Sequence, residues 1–503
     1  MEPALLPRII RNLALAIVVA GAFGAATAQE QPGKGEPRDP RGVLRLLPAD
    51  AVTEHSIDTP RGKLAYTATA GTLAFYDQSG EHSASVFYTA YVAKNSGDKN
   101  AGGNRPITFA FNGGPGAASA YLHLGLVGPR VLELGQDGTR PELRDNPDTW
   151  LAFTDLVLID PIGTGWSRSA KPDDAKGFWN MRGDASAMAK AIALYVNKNN
   201  RGSATKYLLG ESYGGFRAAK TARALQQDQG IAVSGIVMVS PLLEAWLTFG
   251  DDQSALRAAL QLPSLAAAEL ERKKAFSPAT LAAAEQFAMT DYMITLAGPR
   301  PQGTAAKAFY ERVAEISGLP IDVVTRALGF VENDFVKNMR AGGKIVSHYD
   351  AAFAVDDPYP DRASGHGGDP ILDGLTRAYG GAFASYARNE LGFKTEMTYS
   401  LLAGDVTRGW DWQGNRASAS VEDDLRTLLA FTPSFRLLIA HGLSDMVTPY
   451  AMTRYALDHL PPSDPPGRAQ LKLYRGGHMF YIDAASRKAF TADAAAFYRV
   501  AGE

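Results

Sequence analysis

Between Lys63 and Val92 apolar and polar residues alternate, and the runs 64–67, 71–76 and 84–92 are rich in β-branched and aromatic side chains. Period-two alternation predicts strands, here an antiparallel opening to a sheet. The pattern then changes to short continuous apolar runs at 107–111, 156–160, 207–210 and 236–239, and again at 435–440 and 471–474. Strands buried on both faces have this character. Helical stretches such as 188–196 and 216–226 lie between several of them. Such alternation predicts an α/β fold with a mostly parallel central sheet flanked by helices.

Between residues 245 and 395 the strand rhythm stops. Ala, Glu, Arg and Leu dominate, with helical periodicity over 265–276, 280–288 and 305–316. A largely helical insertion between two sheet strands reads as a cap over the sheet's C-terminal edge, where open α/β sheets place their sites. The core then has two parts, 51–244 and 396–503. At the other end, Arg8 and Arg11 precede an apolar run, 13–24, and the small residues Ala26-Thr27-Ala28. This is the layout of a cleaved export signal over 1–28. Residues 29–50, rich in Gln, Glu, Pro, Gly and Arg, read as a flexible leader. The expected location is periplasmic or secreted, with no stable membrane insertion once the signal is removed.

Composition narrows the function classes. Fifty-one Lys and Arg against 53 Asp and Glu give a net charge of −2, so no basic surplus exists for a nucleic acid. Cysteine is absent, which excludes disulfides, thiolate catalysis and zinc–cysteine clusters. No H-E-x-x-H is present and the eight His show no ligand spacing, so neither a metal nor another cofactor is expected.

The chemistry centres on Gly210-Glu211-Ser212-Tyr213-Gly214, a G-x-S-x-G pattern between a buried strand and a helix. That context makes a nucleophile elbow, which lifts a serine hydroxyl to the top of the sheet. A serine needs an imidazole to take its proton. His478, in the Gly-rich loop after a late strand, is the best base, and Asp445, just past another strand, can orient it. His441 and His459 are competitors better read as structural. The loop Phe111-Asn112-Gly113-Gly114-Pro115-Gly116 exposes backbone N–H groups suited to an oxyanion, with the Tyr213 N–H as the second donor. Read alone, that loop is better taken as a plain Gly-Pro turn. The segment 160–167 reads as a support loop whose Trp166 can wall a pocket, and Arg272-Lys273-Lys274 as a solvated helix face.

With these residues the chain resembles the serine carboxypeptidases, in particular their bacterial members. The resemblance rests on Asn112-Gly113-Gly114-Pro115-Gly116, Asn146-Pro147 with Trp150, Asp160-Pro161-Ile162-Gly163-Thr164-Gly165-Trp166-Ser167, Gly210-Glu211-Ser212-Tyr213-Gly214-Gly215, Asp445 and Gly477-His478-Met479, in family order. It implies an α/β-hydrolase core and release of single residues from peptides with a free C-terminus. It also implies Ser212, His478 and Asp445 as the catalytic residues and Gly114 and Tyr213 as the oxyanion amides. Asn112, Gly113 and Glu211 would hold the substrate's terminal carboxylate. Family members pair this Glu with a second acid, which raises its proton affinity. Here that position is Leu126, with His123 nearby, so a like-charge partner is missing. Ala117 stands where eukaryotic members carry a disulfide-forming Cys.

Two further readings remain open at this level. An esterase or acyltransferase would use the same triad. A catalytically silent hydrolase fold would serve binding alone, although no triad member or elbow glycine is lost. The oligomeric state is open.

Overall fold

The computed structural model describes residues 42–60, 62–94, 105–134, 141–332, 334–362 and 368–500. The export signal and most of the leader expected before residue 51 lie outside them. Within the leader, Gly42–Leu46 forms one 3-10 turn and Leu44 is buried.

The antiparallel opening comprises β1 (Ala51–Thr59), β2 (Gly62–Tyr76) and β3 (His82–Ala93), followed by β4 (Ile107–Phe111). A separate hairpin pairs β5 (Arg130–Glu133) with β6 (Glu142–Asp145). Next come β7 (Asp155–Ile159), the short β8 (Arg168–Ser169), β9 (Lys206–Glu211) and β10 (Gly235–Val239). A second small hairpin, β11 (Lys344–Val346) with β12 (Ala354–Asp356), lies in the insertion, and β13 (Arg436–Gly442) and β14 (Ala469–Tyr474) complete the set. Among the described residues the main sheet has ten strands, ordered β1-β2-β3-β7-β4-β9-β10-β13-β14, with β8 beside β3. From β7 to β14 every pairing is parallel. Helices cover both faces, and the two large apolar clusters lie one on each side. The expected α/β-hydrolase core is the observed architecture.

The sequence splits 64–67 from 71–76, whereas the chain runs through as one strand. Gly71 is there for proximity: a Cβ at this position would lie 2.2 Å from the Asp50 carboxylate. That carboxylate accepts the Thr72 N–H at 3.0 Å, which ties residue 50 onto the strand.

The insertion is helical, as its periodicity predicts, but it divides in two by packing. Helices Ala255–Arg272, Pro278–Phe287 and Gly303–Ser317 share one cluster, which also takes in Met446 from the loop after β13. Helix Pro370–Asn389 instead buries Leu375, Tyr379, Phe383 and Tyr386 against the sheet's own core. Arg272, which ends its helix, and Lys273 just beyond it are solvent-exposed, as expected, and both pair with the buried Glu269.

A consequence follows from parallel pairing. The turns after β4, β9, β13 and β14 all leave the sheet at the same edge. They carry Asn112, Ser212, Asp445 and His478 respectively.

Candidate active site

Ser212 sits between β9 and helix Tyr213–Asp228 with φ +60° and ψ −127°. A non-glycine residue there carries roughly 1–3 kcal/mol of backbone strain, which neighbours must hold in place. They do so by contact. Ser212 donates its N–H to the Val239 carbonyl at 2.9 Å, and its own carbonyl accepts from Gly215 at 2.9 Å and Leu242 at 3.2 Å. A Cβ on Gly210 would lie 1.9 Å from the Gly214 carbonyl oxygen. The sharp turn therefore requires glycine in this strand. Tyr213 is the first residue of the helix, so its N–H has no intrahelical acceptor.

β4 is the direct neighbour of β9, with Phe111 opposite Gly210. That register sets the Asn112–Gly114 loop against the elbow, and a Cβ on Gly113 would lie 2.6 Å from the backbone nitrogens of Tyr213 and Gly214. Arg217, fully buried, fastens the two together. Its Nε donates to Asp184 at 2.7 Å and its Nη1 to the Asn112 carbonyl, and it lies over the rings of Phe111 and Tyr213. Burial pushes the Asp184 carboxyl's pKa up, opposed by the Arg217 charge.

His478 and Asp445 meet at the sheet edge, with Nδ1 and Oδ2 2.9 Å apart. Both are buried. Asp445 also accepts the N–H groups of Val447 and Thr448, at 2.8 and 3.1 Å, and the Thr448 hydroxyl at 2.9 Å. Burial, the largest single influence, works against the imidazolium, but the charge and hydrogen bond of Asp445 together with the charges of Glu211 and Asp369 outweigh it, so the His478 pKa is raised. His441 is also buried, with its Nδ1 3.9 Å from Asp445 and its Nε2 2.8 Å from the Thr453 hydroxyl. Burial lowers its pKa to about 4. His459 bonds the Tyr455 carbonyl at the end of its own helix.

The insertion contributes a segment that sequence reasoning missed. The Tyr349 carbonyl accepts the His478 N–H at 2.6 Å, and the Tyr349 ring stands edge-on to the imidazole at 5.2 Å. The His348 carbonyl accepts from Met446, and Ala351 donates to the Ser444 carbonyl, both at 3.0 Å. Ser444 in turn donates its hydroxyl to Asp350 at 2.6 Å. No local motif in the sequence announces this segment.

Glu211, one residue before Ser212, is buried. Its Oε2 accepts from Asn112 Nδ2 at 2.8 Å and from the Tyr481 hydroxyl at 2.7 Å. Burial pushes its pKa up to about 7, against the opposing pull of His478 and the two hydrogen bonds. Leu126 is buried in the core cluster, and His123 reaches away to the Tyr91 hydroxyl at 2.6 Å. Burial lowers the His123 pKa to about 3. Neither supplies a second group to Glu211; Tyr481 does. It lies three residues after His478, in a 3-10 turn, Phe480–Ile482.

Asn112, Gly113, Gly114, Glu211, Ser212, Tyr213 and His478 line a single cavity of about 210 Å³, walled further by Tyr349, Phe249, Leu402, Trp412 and Arg416. Asp445 stands behind His478. Trp166 does not wall this cavity, contrary to expectation. It packs edge-on to Phe87 and Tyr399, at 4.9 and 4.8 Å, and donates to the Met397 carbonyl. Its loop has the support role expected of it: Ser167 bridges the Phe87 N–H and the Asp160 carbonyl, and buried Asp160 accepts the Ser119 N–H. Among the described residues no group of His, Asp and Glu is arranged to hold a metal ion, and no helix is long and apolar enough to cross a membrane.

Residues 63–246 match the family model described as serine carboxypeptidase. Among curated proteins the chain is similar to Carboxypeptidase sxa2 of Schizosaccharomyces pombe, 31% identical over 134 residues, 26% of this chain and 25% of that protein. It is also similar to the pheromone-processing carboxypeptidase KEX1 of Puccinia graminis f. sp. tritici, 39% identical over 72 residues, 14% of this chain and 10% of that one. The chain thus spans a quarter or less of the length of these two relatives. Among solved structures it is similar to a proline iminopeptidase of Mycobacterium smegmatis, at 15% identity and a TM-score of 0.41, covering 86% of this chain and 98% of that one.

Proposed function

We propose that this chain, whose residues 63–246 match the serine carboxypeptidase family, releases C-terminal residues from peptides through an acyl-enzyme on Ser212. The observation that carries the reading is one cavity joining three things: a strained serine, a carboxylate-oriented histidine, and a carboxyl with a pKa of about 7 beside the serine.

Each residue then has a task. With Nδ1–H bonded to Asp445, His478 presents Nε2 as a base for the Ser212 hydroxyl. The alkoxide attacks the last peptide carbonyl, and the N–H groups of Gly114 and Tyr213 receive the oxyanion. His478 returns the proton to the leaving amine, and water completes the cycle by hydrolysing the ester. Asn112, the Gly113 N–H and protonated Glu211 hold the terminal carboxylate. An amide carries two hydrogens; Asn112 gives one to Glu211 and keeps one for substrate. A neutral Glu211 donates to an anion that its ionised form would repel. Here burial favours the neutral form, in place of the second acid of other family members.

The test compares N-blocked dipeptides with free and amidated C-termini. Amidation is expected to lower kcat/KM at least tenfold, and Ser212→Ala to abolish turnover of both. Equal turnover of free and amidated peptides would refute the exopeptidase role. Leu126 in place of an acid favours one second reading, an esterase on the same triad. Robust cleavage of small esters with none of free-ended peptides would establish it. The signal-like segment 1–28 supports export, to the periplasm or beyond.

A further inference from the structure

The cavity holds a fixed cation that the reaction above does not use. Arg416 is exposed at the cavity wall, and its guanidinium lies 3.3 Å from the Phe249 ring centroid and 5.1 Å from that of Trp412. Its backbone is pinned, because Asn415 caps the 3-10 turn Arg416–Ser418 by accepting the Ala417 N–H at 3.0 Å. Among the described residues no carboxylate pairs with it. Aromatic faces hold a guanidinium by its plane and leave its N–H edges for an anion.

Position decides which anion. Glu211 and Tyr213 flank Ser212 and lead to different walls. Glu211 leads to Asn112 and Tyr481. The Tyr213 ring meets Trp412 edge-on at 5.6 Å, and through Trp412 the contacts reach Arg416. If the first wall takes the substrate's terminal carboxylate, the second faces the residue that becomes the acyl group. We infer that Arg416 makes the enzyme select peptides whose penultimate residue is acidic, pairing with that Asp or Glu side chain while Ser212 is acylated. This rests on the carboxypeptidase reading and adds the substrate class to it.

The test uses N-blocked dipeptides with one common C-terminal residue and Glu, Gln or Lys before it. An exposed charge pair is worth up to ~1 kcal/mol, so the Glu-to-Gln ratio of kcat/KM should be about five in the wild type, with Lys poorest. The ratio should fall toward one in Arg416→Gln, survive in Arg416→Lys, and shrink as salt is raised. A wild-type ratio of one, or a ratio that Arg416→Gln leaves intact while all three substrates decline together, would overturn the inference alone. Hydrolysis of none of the three would overturn the carboxypeptidase reading, and this inference with it.

Discussion

Two buried carboxyl groups, Glu211 lining the cavity and Asp445 behind its histidine, are surrounded in opposite ways. Donors converge on Asp445 from four sources: two backbone N–H groups, the Thr448 hydroxyl and the His478 ring. Glu211 receives two neutral donors, both on one oxygen, and burial pushes its pKa up to about 7. One carboxyl is ringed by donors, whereas burial shifts the other toward its protonated form. The difference comes from the chain around them. Asp445 lies in a loop whose amides turn inward, whereas Glu211 ends a central strand whose amides belong to the sheet.

The sharpest way to break this contrast is Asp445→Asn. An amide in that place stabilises the wrong histidine tautomer, and kcat on a free-ended peptide is expected to fall by about 10⁴-fold. A loss under tenfold would mean that His441, 3.9 Å from Asp445, or another group orients the base.

Glu211→Gln tests the other half through pH. On the proposed mechanism the base works only above the raised pKa of His478 and Glu211 donates only below about 7, so kcat/KM should be bell-shaped. Glutamine donates at every pH, so the alkaline limb should vanish. Loss of the neighbouring negative charge should also move the acid limb to lower pH, since Glu211 helps raise the His478 pKa. At pH 6 the rate should fall no more than about tenfold, one donor replacing another worth ~1 kcal/mol. A persistent alkaline limb would assign it elsewhere.

Tyr481→Phe sharpens the comparison with the smallest change. The hydroxyl lowers the Glu211 pKa by bonding its charged form. Its removal should carry the alkaline limb to higher pH and lower stability by about 1 kcal/mol in urea titration. An unmoved limb would leave Tyr481 a packing residue only.

Legibility in the sequence followed locality. The elbow, the Asn112–Gly114 loop and the His478 loop each write their geometry into consecutive residues, because tight turns demand glycine where backbones touch. Strand and helix positions were readable from apolar period for the same reason. Tyr481, Arg217 and Tyr349 leave no such trace: they matter through contacts made across the fold. For Tyr481, the aromatic pair close behind Gly477-His478-Met479 was the available hint. Trp166 misled because a glycine-rich loop with an aromatic residue suits a pocket wall and a core plug equally well. Residues 370–389 merged with the insertion because helical periodicity reports a buried face and not its partner.

The short run His348–Ala351 acts as a latch, with its rungs fastened to the loops that bear Asp445 and His478. Anyone exchanging the insertion for a relative's, to redirect substrate choice, would have to carry this latch along. A graft joined on either side of it would unseat His478 as well as alter the roof.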